Sequence, residues 1–147
     1  MKKIFIVIIL GTTITLSGMN GFISTEITPS VSANDLYPNH LWGDSNYELI
    51  YGNMDVGRYI DWSSYTLIQD SGKGPGQTIF AVNVLSVDMR RNTVTGTSTY
   101  EFVIDHKKGH FCRIDKGEWN RFDPNEEYGY NAVIVRTYNA CMQSLYN

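Results

Sequence analysis

The sequence predicts an α+β fold: an antiparallel sheet of about five or six strands with a C-terminal helix packed on one face. Three observations carry that expectation. Between Tyr47 and Trp119, short runs of alternating apolar residues recur between clusters of Gly, Asn, Asp and Ser, the pattern of strands joined by turns. The longest run, "TIFAVNVLSVDM" from Thr78 to Met89, is apolar on both alternations and reads as a central strand covered on both faces. Near the end the period changes. Ile134, Tyr138, Cys141, Met142 and Leu145 fall at helical spacing and share one stripe that a sheet can bury.

The chain of 147 residues opens with Lys2-Lys3 and a mostly apolar run from Ile4 to Leu16, which is short for a membrane-crossing helix and reads as a secretory signal. Residues 1–33 are therefore assigned to a signal peptide, with "VSA" (Val31 to Ala33) the best mark for cleavage near Ala33. "LSGM" (Leu16 to Met19) has Met19 where a lipid-accepting cysteine would stand. With no other hydrophobic span, the chain after cleavage is expected to have no transmembrane segment and to be secreted, at the cell surface or periplasmic. Residues 34–46, "NDLYPNHLWGDSN", are rich in turn formers and are expected to be a flexible leader. Residues 47–147 make a single α+β domain, since their length allows one core and no more.

Strands are expected at "YELIY" (Tyr47 to Tyr51) and "GRYID" (Gly57 to Asp61), paired as a hairpin, with a third at "TLIQD" (Thr66 to Asp70). "SGKGPG" (Ser71 to Gly76) is a glycine-rich connection. A phosphate cradle would need Ser or Thr after Lys73 and a following helix, but Gly74 and a β-rich run come next, so a hairpin loop is the reading. After Thr78 to Met89, "RRNT" turns the chain into "TSTYEFVID" (Thr97 to Asp105), and "HKKG" turns it again into "HFCRI" (His110 to Ile114). Trp119 marks a further short strand.

The formal net charge is −3, and after residue 33 the longest basic runs are the pairs Arg90-Arg91 and Lys107-Lys108, which argues against a nucleic-acid partner. His106 and His110 have a zinc-like spacing, but it falls across a hairpin turn and lacks a third ligand, so no metal is expected. "DPNEEYGY" (Asp123 to Tyr130) lacks the spacing of an EF-hand, and Ser63 and Ser64 sit in no nucleophile motif. No catalytic residue and no cofactor are assigned. Cys112 and Cys141, both on apolar faces of an exported chain, are expected to form a disulfide worth about 3–4 kcal/mol. The alternatives are free thiols or a bridge between chains.

Ten tyrosines and three tryptophans remain. Tyr51, Tyr59, Trp62 and Tyr65 cluster in sequence and are the candidate binding residues; aromatics serve sheet cores and interfaces equally, so both roles stay open. "GRYIDWSSYTLIQD", the strands "TIFAVNVLSVD" and "TYEFVID", and Trp119 before a C-terminal helix together resemble the surface-adhesin protein E-like family of small exported bacterial proteins. The resemblance runs from Tyr47 to about Leu145. It implies an antiparallel sheet backed by a helix and, for the best-known members, adhesion to host matrix proteins. It carries over no binding residue. The function expected is thus a secreted or surface-associated binding protein with a protein or extracellular-matrix partner. The alternatives are an inhibitor or accessory subunit of another exported protein, and a small enzyme. Within the family-like stretch, "GRYIDWSSYT" is expected to be a strand end and turn, with Asp61 bonding the backbone near Ser63 and with Tyr59 and Trp62 on opposite faces.

Overall fold

The computed structural model describes residues 36–72 and 76–146. The signal segment, its cleavage mark at Ala33, the first leader residues and the tip of the Ser71–Gly76 loop lie outside them. Six strands run in chain order as one antiparallel meander: β1 (Tyr47–Asn53), β2 (Val56–Gln69), β3 (Gln77–Asp88), β4 (Thr93–Asp105), β5 (Gly109–Ile114) and β6 (Asn120–Phe122). The helix α1 (Asn131–Tyr146) follows and packs on one face. This is the α+β arrangement that the alternation and the change of period predict.

The main core lies between helix and sheet. Alternation turns Phe80, Val82 and Val84 of β3 and Tyr100, Phe102 and Ile104 of β4 to the helix side, all buried. Register sets Phe80 opposite Phe102 and Phe102 opposite Cys112, so aromatic rings stack across strands, Phe80 on Phe102 at 5.1 Å. The helix lays Ile134, Val135, Tyr138 and Cys141 on this layer, and Tyr138 meets Phe122 at 5.3 Å and His110 at 5.4 Å. Two polar ties hold its outer flank. Arg136 donates to Glu127 Oε1 at 2.5 Å and to the Ile50 carbonyl at 3.2 Å.

The opposite face has a smaller core of Leu41, Tyr59, Leu85 and Val87, built by the segment expected to be a loose leader. Residues 37–46 are docked instead. Leu41, at the head of a 3-10 turn (Leu41–Gly43), is only 1% exposed. Leu49 N–H donates to the Asn39 carbonyl at 2.9 Å, and the Tyr59 hydroxyl donates to the Pro38 carbonyl at 3.2 Å. The Tyr37 ring lies so close over Gly52 that a Cβ there would come within 2.6 Å of it. The turn-forming composition of this stretch reflects an irregular path over the sheet, made affordable by a few anchors.

The expected disulfide is corrected: Cys112 and Cys141 are free. Both sulfurs are buried in the helix–sheet core as the stripes require, but at different points along α1. Cys112 shares a cavity wall with Ile134, near the start of the helix. Cys141 lies two turns further on, about 10 Å along the axis at 1.5 Å per residue, beyond the reach of a disulfide. Burial pushes both thiols up to about 12, so neither is activated.

Candidate binding surface

The stretch Val56 to Thr66 is not a strand end. β2 continues through it by way of a bulge. Pairing with β3 jumps from Asp61↔Asn83 to Thr66↔Ala81, so residues 62–65 stand opposite Val82 alone. Side chains build the bulge. Asp61 Oδ1 accepts the Ser63 N–H at 3.1 Å and the Ser63 hydroxyl at 2.5 Å. The Ser64 hydroxyl donates to the Asp61 carbonyl at 2.6 Å and accepts the Asn83 N–H at 2.8 Å, replacing the ladder bond that the bulge interrupts. The Ser63 hydroxyl is thereby committed to the Asp61 carboxylate and the Ser64 hydroxyl to the backbone. The predicted bond from Asp61 to the backbone at Ser63 is present.

The four aromatic candidates do not form one patch. Tyr59 is fully buried on the face away from the helix, in the core with Leu41 and Leu85, and cannot touch a partner. Trp62 and Tyr65 are together, edge to face at 6.1 Å, half-buried on the helix side of the β2 edge. Trp62 Nε1 donates to Glu48 at 2.9 Å, and the Tyr65 ring lies 6.0 Å from Phe80. The Tyr65 hydroxyl is buried without a partner among the described residues, and burial raises its pKa. Tyr51 stands apart, under the Arg136 guanidinium at 5.5 Å. Tyr59 therefore belongs to the fold, while Trp62 and Tyr65 flank an edge and Tyr51 lines a recess.

That edge was not visible in the sequence. β1 covers β2 only as far as Asp61, and the last tie is the Trp62 N–H donating to the Asn46 carbonyl at 2.8 Å. From Ser63 to Gln69, no described segment pairs with the outer side of β2. Leu67 and Ile68 stand there 40% and 57% exposed. An unpaired run of backbone N–H and C=O groups beside exposed apolar side chains is a template for another strand. The signal that could have found it is a length mismatch: a bulged strand twice as long as the strand before it leaves half its edge uncovered.

Other chemistry is sparse. His106 is exposed, while His110 is half-buried against Phe122 and Tyr138, where burial lowers its pKa. Among the described residues no three His, Cys, Asp or Glu side chains converge as metal ligands. Two cavities meet at the N-terminal end of α1, one of about 510 Å³ beside β5 and β6 and one of about 360 Å³ over β2 and β4. No described helix is long and apolar enough to cross a membrane. No family model, curated protein or solved structure matches the chain.

Proposed function

We propose that this is an exported binding protein that takes an extended segment of a protein partner on the outer edge of β2. The observation that carries the reading is the uncovered edge from Ser63 to Gln69, with Leu67 and Ile68 exposed on it. Strand addition draws affinity from main-chain hydrogen bonds and specificity from side chains beside the edge. Trp62 and Tyr65 supply the second, as rigid aromatics at the point where the strand becomes uncovered. Export is supported by Lys2-Lys3 and the apolar run after them, and a matrix-protein partner by the resemblance to the adhesin family. An inhibitor or accessory subunit would use the same edge and differ in the partner alone.

The test is binding of the soluble chain to a panel of immobilised extracellular-matrix proteins, with the wild type beside a variant carrying Leu67→Lys and Ile68→Lys. Lysines on an edge strand block pairing without disturbing a core. The expected result is saturable binding by the wild type, weakened at least about tenfold (about 1.4 kcal/mol) in the variant. Equal binding by both would remove the edge from the site.

A further inference from the structure

At the other end of α1 the helix side of the sheet is open. Tyr51 of β1, Arg58 of β2, Ser86 of β3 and Gly96 of β4 form one cross-strand row, with Ser98 and Tyr100 next along β4. Tyr51 reaches this face because the ladder bulges between Leu49 and Tyr51. The small residues Ser86, Gly96 and Ser98 let the surface sink. The result is the recess of about 360 Å³, walled by Tyr51, Tyr100, Ile114, Tyr130, Val133 and Ile134. Ile114, Tyr130 and Ile134 also line the larger cavity toward β6, and the recess by itself is of the size that holds small organic ligands.

Among the described residues, Arg58 is the one cationic side chain lining this recess. It is half-buried and donates to the Ser86 hydroxyl, and among the described residues it meets no carboxylate. Arg90, Arg91, Arg113 and Arg136 each do, and Arg121, which also pairs with no carboxylate among the described residues, lines the larger cavity instead. Of the acidic groups at this end, Glu127 pairs with Arg136, Asp115 accepts the Thr99 N–H at 2.7 Å, and Glu118 lines the larger cavity rather than this recess. A guanidinium with free donors in a recess of mixed polar and apolar lining is a fork for a planar anion, and a carboxylate fits it with two parallel hydrogen bonds.

We propose that the recess binds a small carboxylic acid with an apolar body. Its carboxylate sits on Arg58, and its body lies against Ile114, Val133 and the rings of Tyr51 and Tyr130. This site is separate from the β2 edge and does not depend on it. The probes are naphthoate and its neutral counterpart naphthamide, titrated into the whole chain and followed by amide chemical shifts. Naphthoate is expected to shift residues of the recess and to bind at least about tenfold more tightly than naphthamide. Arg58→Gln should remove that difference. Ser98→Glu, which keeps Arg58 but places a competing carboxylate beside it, should do the same. A Leu-terminated tripeptide with a free or amidated end serves as a further arm, and a preference for the free peptide over naphthoate would assign the carboxylate to a chain terminus. Equal affinity for naphthoate and naphthamide, unchanged naphthoate affinity in folded Arg58→Gln, or no shift with either probe would overturn the proposal.

Discussion

The first half of β2, Val56–Asp61, lies between β1 and β3, whereas the second, from Ser63 to Gln69, has β3 alone. In the first half Gly57, Tyr59 and Ile60 are buried, Ile60 under the helix and Tyr59 under the docked N-terminal segment. In the second, every residue from Thr66 to Gln69 is exposed. Composition does not account for this, since Leu67 and Ile68 are as apolar as anything in the first half. What differs is neighbours. β1 begins at Tyr47, opposite Asp61, and the bulge at residues 62–65 carries the strand past that point. One strand thus serves stability with one half and presents an edge with the other.

Substitutions along β2 test the contrast. The largest effect is expected at Tyr59. Tyr59→Ala empties a fully buried site and removes the hydroxyl that holds the Pro38 carbonyl. It should cost about 3–5 kcal/mol in denaturant unfolding, while the folded fraction binds partners normally. A cost under about 1 kcal/mol would mean that the N-terminal segment does not seal this face. At the junction, Trp62→Phe keeps an aromatic ring against Tyr65 but loses the bond to Glu48, so a loss of about 0.5–1.5 kcal/mol is expected. Smallest is the edge itself. The paired change Leu67→Lys and Ile68→Lys should leave unfolding within about 0.5 kcal/mol per site, because neither side chain is in a core. A larger loss would show that something already covers the edge.

Much of the fold was legible because periodicity reports burial directly. The two-sided apolar run of β3 and the helical stripe from Ile134 to Leu145 identify the central strand and the helix. What escaped depends on relations between distant segments. Leu41 lies in a short stretch dominated by turn formers, and no period marks it as an anchor for Tyr59 and Leu85. The two cysteines were correctly placed on apolar faces, but periodicity does not measure the distance along a helix at which two faces meet, and the bridge was inferred where none exists. The candidate site was legible only in part. Trp62 and Tyr65 do sit together, and Tyr59 and Trp62 do fall on opposite faces, yet the open edge between Ser63 and Gln69 follows from where β1 starts. Arg58 stood in the sequence without a role, because its lack of a carboxylate partner is a property of the folded surface.

Amide hydrogen exchange along β2 in the free chain tests the central contrast most directly. Exchange is governed by hydrogen bonding and local opening, so the two halves should separate. Amides from Val56 to Asp61 should be protected throughout. From Ser63 to Gln69, those turned toward β3 should be protected, and those turned outward should exchange at rates close to an open chain. Uniform strong protection from Val56 to Gln69 would contradict the account, because the edge assigned to a partner would already be paired.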